Sequence, residues 1–327
     1  MTRHPALAAS LLLAASLARA QDAPPVEDAS AEPAEEIEIL GERPGPQLWK
    51  ITHGENTLWL FGLLQPLPKR MAWKSGAVEQ VLDESQEVIA SGAAADARLG
   101  PIKLFRLYRQ WRSLRVNPNE QTLADVLPAA LHARFEALRQ KYAPRDRDMA
   151  ELRPIFAAGA LFQAAVDRIG LTTENDVHER VEKLAKRRDL PIRQVKLTLE
   201  NPSETLGALD DIPLAEQIAC FETTLARLET DVEAMRVRAL AWADGDIDAF
   251  KAAAYPDQQQ ACWNALGSAG EIKPLIEKAQ RDWLALFDTA LANSKVSLAM
   301  QSLDRVLAPD GVLAHARSKG YGVRGPE

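Results

Sequence analysis

Leu48–Thr52 and Leu58–Leu63 are runs rich in β-formers, with His53-Gly54-Glu55-Asn56-Thr57 between them. Gly and Asn in so short an interval predict a β-hairpin. Ser75–Ser85 carries apolar residues at helical spacing (Val78, Val81, Leu82), and Glu87–Ala90 reads as a short apolar strand. From Gly100 to Arg188 the apolar positions recur three and four apart, the helical period. Thr173-x-x-Asp176 resembles a capping box opening a helix through Lys186. Pro191–Leu199 alternates and predicts another strand. Helical spacing resumes after Pro213, stops at Asp244-Gly245, and returns over Asp246–Ala254, Asp257–Leu266 and Lys273–Leu291. Val296–Met300 predicts a strand, Gly311–Lys319 a short helix and Tyr321–Arg324 a last strand. The expected fold class is therefore α/β: a central mixed β-sheet formed by N- and C-terminal strands, with a large helical middle region at about 101–290.

The pattern fails at the N-terminus, in two different ways. Thr2-Arg3-His4 is a short basic start, Pro5–Leu17 is small and apolar, and Ala18-Arg19-Ala20 has the form of a processing site. That is the layout of a secretory signal peptide over 1–20, its apolar stretch too short to span a bilayer. Cleavage near Ala20 would deliver the chain to the periplasm or the exterior. No cysteine follows that site, and no later stretch is apolar enough to predict a transmembrane segment. Residues 21–47 hold five prolines and eight acids against Arg43 alone, the composition of an acidic, disordered linker. The expected domain is then 48–327.

This division changes the meaning of the charge. The whole chain carries −7. The linker holds −7 and the first twenty residues +2, so residues 48–327 carry only −2. Neither value suits a nucleic-acid binder, which shows basic patches and a high pI. Apolar residues at 46% and charged residues at 26% are ordinary for a globular chain.

Common motifs do not supply a chemistry. Gly320-x-Gly322-x-x-Gly325 matches a dinucleotide fingerprint as text, but no helix follows it to hold a pyrophosphate. Of the four histidines beyond residue 20, no two stand at metal-ligand spacing; His132 and His178 read as solvated helix positions. Cys220 and Cys262 are 42 residues apart, each after a helical segment. In an exported chain two thiols commonly pair, so a disulfide is expected.

Several short strings, in order, do carry a likeness. They are Leu48-Trp49-Lys50-Ile51, Leu58–Lys69, Trp73–Glu79, Leu199-Glu200-Asn201-Pro202, Pro213–Gln217, Trp242-Ala243-Asp244-Gly245-Asp246, Pro309–Leu313 and Gly320-Tyr321-x-Val323. Together they resemble the TraB/GumN family, which is similar to the Tiki metalloproteases and the erythromycin-esterase/ChaN-like proteins. The resemblance implies an α/β fold with a cleft at the sheet ends. Where the motifs are intact it implies metal-dependent hydrolysis or proteolysis.

Carried over residue by residue, the likeness stops at the chemistry. The implied Gly-x-x-His after the second strand is Gly62-Leu63-Leu64-Gln65. The implied glutamate falls at Ser91, or at Ala90 one residue earlier. The second Gly-x-x-His falls at Ser302-Leu303-Asp304-Arg305, and a guanidinium cannot ligate a cation. An implied Arg-Asn pair falls near Ala279-Gln280 or Arg281-Asp282. Glu200 keeps its Leu-Glu-x-Pro setting, and Asp176 matches an implied aspartate.

The reading is an exported, catalytically degenerate family member with no metal, no cofactor and no assigned catalytic residue. Its vestigial cleft would be lined by Gly62, Gln65, Ser91, Glu200, Asp304 and Arg305, and would bind an unidentified ligand, peptide or protein. Arg305 would either join that pocket or pair with Asp304 or Glu200. Two alternatives stand beside it. One is a metal-dependent hydrolase using Asp304, Glu200 and Asp176 as non-standard ligands. The other is a partner-binding module whose helical region presents Leu104, Leu107, Tyr108 and Trp111.

Overall fold

The computed structural model describes residues 45–325, apart from 70, 72, 97–99, 175, 254–257 and 271. The expected signal segment and linker residues 21–44 lie outside the described residues. Gly45 and Pro46, placed by composition in the linker, are buried against the body, with the Gly45 amide donating to the Ala243 carbonyl at 3.0 Å.

The strands are β1 (Leu48–His53), β2 (Asn56–Leu63), β3 (Leu67–Pro68), β4 (Glu87–Asp96), β5 (Leu171–Thr172), β6 (Ile192–Thr198), β7 (Val296–Ser302) and β8 (Gly322–Arg324). Six form a mixed sheet in the order β6-β4-β7-β2-β1-β8, and β3 pairs with β5 separately. β6, β4, β7 and β2 are mutually parallel, while β1 runs antiparallel to both β2 and β8. The β1–β2 hairpin closes through Gly54, whose φ of +57° suits a residue without a Cβ.

Val88–Ala90 and Ser297–Met300 are buried at every position. A strand buried without alternation needs cover on both faces, as parallel strands have. The long helix Ile272–Asn293 supplies it on one side, reaching β1, β2, β7, β4 and β6. Gly76–Glu84, which packs on β7, and Asp176–Lys186, which packs on β4 and β6, supply it on the other. Trp283 fixes the long helix by donating its indole N–H to the Ala90 carbonyl at 2.9 Å.

A second core lies among the helices of the middle region. Phe135, Met149, Leu161, Phe221 and Leu225 are buried there, on Ala129–Tyr142, Asp148–Glu151, Pro154–Arg168 and Leu214–Thr230. Cys220 and Cys262 are joined by a disulfide in this core, with Cα atoms 4.5 Å apart.

Local expectations needed correction at four places. β4 continues to Asp96, six residues past Ala90, because it pairs with β6 beyond a bulge between Ile89 and Ala93, where Gly92 turns to φ +71°. The single helix expected up to Ala243 is two, Leu214–Thr230 and Val232–Asp244, broken at Asp231. Thr173 does not cap Asp176–Lys186: its hydroxyl donates to Gln163 Oε1 at 2.5 Å. His178 is not a solvated position. Its ring is largely covered, its Nε2 lies 3.6 Å from Glu182, and burial holds its pKa below the usual imidazole value.

Candidate functional site

In open α/β sheets the carboxyl ends of the parallel strands form the usual ligand crevice. At that edge Gly62 pairs with Gln301 and Leu63 with Ser302. Ile89 pairs with Ala299, the last pair between β4 and β7, and Ser91 follows in the bulged segment between Ile89 and Ala93. Beyond Ser302 the chain turns at once into the short helix Leu303–Leu307, with the Ser302 hydroxyl accepting from the Arg305 amide at 3.4 Å. A Cβ on Gly62 would meet the Leu303 side chain at 2.8 Å, so Leu303 closes directly over this glycine. Gly62, Asp304 and Arg305 thus lie about the ends of the paired strands β2 and β7, and exposed Gln65 lies three residues beyond Gly62.

β6 follows β4 past the bulge, with Val195 opposite Ala93 and Thr198 opposite Asp96. It ends at Thr198, and Glu200 is exposed in the bend that follows. Asp176 lines a different groove, of about 510 Å³, with Glu79, Arg180 and Arg187. Among the described residues no three His, Cys, Asp or Glu side chains stand close enough to hold a metal ion. Asp176, Glu200 and Asp304 therefore do not assemble into the carboxylate centre considered above. Arg281 and Asp282 face along their own helix, in pairs with Glu277 and Lys278.

Two guanidinium groups occupy the end of β7. Arg238, on Val232–Asp244, is buried and donates to Asp304 Oδ1 at 2.6 Å, while its guanidinium stacks 3.8 Å from the Phe250 ring centre. Arg305 is half-buried and reaches Asp310 at 3.3 Å. The expected pairing of Arg305 with Asp304 or Glu200 is not what forms. Arg238 has taken Asp304, and Arg305 turns to Asp310 instead.

One turn past Arg238, Trp242 donates its indole N–H to the Gly62 carbonyl at 2.7 Å. Gly245 follows as the left-handed cap of that helix, with φ +72°. Asp246 then caps Ile247–Ala252 by accepting from the Ala249 amide at 2.8 Å, which places Phe250 under Arg238. The Trp-Ala-Asp-Gly-Asp string is therefore a structural device that anchors this helix turn to the sheet edge.

Pro309-Asp310-Gly311 has a comparable role. A Cβ on Gly311 would lie 2.1 Å from the Arg305 carbonyl oxygen and 2.9 Å from that of Ala308. These are backbone atoms and cannot rotate away. Gly311→Ala is expected to cost about 1–3 kcal/mol by overpacking, read as a lower urea midpoint with unchanged slope. An unchanged midpoint would contradict the close approach.

Arg238 was not foreseen. It had a signal: it lies four residues before Trp242, on the face that buries Met235 and Ala239. A single arginine on a buried helix face needs a partner, and that partner is 66 residues away in sequence.

These donors do not suit a divalent cation. The edge offers an amide, a hydroxyl and a carboxylate already held by a buried guanidinium, with a second guanidinium beside it. Cavities of about 230 and 570 Å³ lie elsewhere, the first beside the disulfide and the second between β1, β2 and Gly76–Glu84.

The fold is thus a mixed α/β sheet with two arginines, Arg238 and Arg305, ion-paired at the end of β7. The chain belongs to the TraB/PrgY/gumN family, whose model matches residues 47–325. No curated protein and no solved structure matches it.

Proposed function

We propose that this protein is an exported, catalytically degenerate member of its family, which retains the strand-end edge as a polar recognition surface. The observation that carries the reading is the pair of guanidiniums at the end of β7, Arg238 on Asp304 and Arg305 on Asp310. Arg305 stands where the family resemblance puts an imidazole ligand, and Arg238 holds the carboxylate next to it. A positive side chain repels a metal ion and cannot donate electrons to it.

Arg305 keeps about a third of its side chain in solvent, and its partner Asp310 is far more exposed. A loosely held surface ion pair is weak, so an incoming carboxylate can compete for the guanidinium. An anionic ligand, such as an acidic or C-terminal peptide, is the class this edge would recognise. Export rests on the basic start, the apolar stretch Pro5–Leu17 and Ala18-Arg19-Ala20.

The test is metal analysis of protein purified without chelators, together with a peptidase screen with and without added zinc, manganese or cobalt. Metal far below one equivalent and no metal-stimulated cleavage are expected. One equivalent of bound metal, or cleavage that depends on it, would overturn the reading.

A further inference from the structure

The helix Pro101–Arg115 has the sequence PIKLFRLYRQWRSLR. It carries Lys103, Arg106, Arg109, Arg112 and Arg115 and no acid, a local charge of +5 in a body of −2. None of these five cations forms an ion pair with a described residue. The same helix exposes large apolar side chains: Ile102 at 69%, Leu104 at 59%, Phe105 at 61% and Tyr108 at 56%.

Its attachment is one-sided. Leu114 is buried and Leu107 half-buried. Gln110 exchanges hydrogen bonds with Ser203, at 2.8 Å to the carbonyl and 2.6 Å from the hydroxyl. Trp111 meets Phe156 edge-on, with ring centres 5.2 Å apart. At 100° per residue, Leu107, Gln110 and Leu114 share the face toward the body, and Phe105, Tyr108 and Arg112 lie opposite, flanked by Leu104 and Arg109. The outward arc therefore interleaves aromatic and aliphatic bodies with cations.

We propose that this helix docks on an anionic lipid bilayer, lying in the plane of the headgroups. Charge complementarity is the primary argument: five cations on one helix that carries no acid, none of them ion-paired with a described residue, attract a negatively charged surface. The exposed apolar side chains then choose the kind of surface. In a bilayer, Tyr and Trp sit at headgroup level, Ile, Leu and Phe enter the acyl boundary, and Arg and Lys hold phosphates. A nucleic acid would leave Ile102 and Leu104 without a role, since aliphatic side chains do not stack on bases. The helix uses none of the residues named for the strand-end edge, so its test stands independently of the proposal made for that edge.

The test is co-sedimentation of the full chain with vesicles of phosphatidylcholine alone, and of phosphatidylcholine and phosphatidylglycerol in equal parts, at low salt. Binding to the anionic vesicles is expected to be at least about tenfold tighter, and to weaken as salt shortens the screening length. Two double variants separate the contributions. Arg106→Glu with Arg109→Glu removes the attraction, and Phe105→Ser with Tyr108→Ser removes the apolar bodies. Each is expected to lose about tenfold or more in anionic-vesicle binding. Their melting temperatures should match the parent, since all four side chains are exposed. Equal binding to both vesicle types, no binding to either, or parental binding by the Phe105/Tyr108 variant would overturn the proposal. So would equal affinity for soluble polyglutamate or single-stranded DNA, which would make the surface a general polyanion site.

Discussion

Trp242→Ala should remove about 5 kcal/mol of stability, a large part of what a domain has. Trp242 is 1% exposed and completes a three-ring cluster with Phe61 and Trp73, each with its ring centre 6.4 Å away. Truncating a buried aromatic to alanine typically costs about 3–5 kcal/mol through lost burial and the cavity left behind. A second cost is specific to this site. The Gly62 carbonyl lies one residue past the last β1–β2 pair, Leu48 with Phe61, and the indole N–H donates to it. Without that donor a buried acceptor is orphaned, at about 1–3 kcal/mol. Trp242→Phe separates the two contributions, since it fills most of the volume but cannot donate. It should lose about 1–3 kcal/mol in urea unfolding, and the alanine variant clearly more. A loss below about 1 kcal/mol for the alanine variant would mean that the helix Val232–Asp244 does not anchor the sheet edge as described.

The anchoring also explains how much of this molecule could be seen in advance. β1, β2, β7 and the helices that flank them follow from hydrophobic spacing, because each is set by local periodicity and burial. Residues 91–96 do not, since Ser-Gly-Ala-Ala-Ala-Asp has neither alternation nor bulk. Their strand state comes from pairing with β6 past the bulge, a long-range event that no local pattern encodes. The break at Asp231 is hidden for a related reason. Apolar spacing runs on through it, and the turn shows only in the backbone, where one residue both ends one helix and starts the next.

The candidate edge divides in the same manner. Gly62 and Arg305 could be placed by the order of short motifs, and the parallel pairing of β2 with β7 sets Gly62 opposite Gln301, just ahead of the helix that carries Arg305. The charges that define the edge could not. Asp304 and Arg305 are neighbours in sequence, yet their partners are Arg238 and Asp310, and only the packing of Val232–Asp244 against β2 decides which arginine takes Asp304. Glu200, whose motif context is intact, lies two residues past the end of β6, exposed in a bend rather than on a strand.

The second large effect concerns the other core. Reducing the Cys220–Cys262 bond should cost about 4 kcal/mol, because the bridge closes a 42-residue loop and restricts the unfolded chain. The loss should be regional. Both cysteines belong to the helical core, where Leu214–Thr230 packs on Gln258–Ser268 and on Pro154–Arg168, whereas the sheet has its own buried cluster. Amide exchange should therefore rise across those three helices on reduction while β2 and β7 keep their protection. Alanine at both positions should cost more than reduction does. A cavity of about 230 Å³, lined by Phe156, Phe162, Ile212 and Leu266, already touches both cysteines, and deleting the sulfurs enlarges it. The difference between reduced parent and double-alanine variant then measures the cavity, and the difference between oxidised and reduced parent measures the crosslink. If reduction changed stability by less than about 1 kcal/mol, the unfolded chain would have to keep these helices together without the bond, and the stabilisation assigned here to loop closure would belong to the helix packing itself.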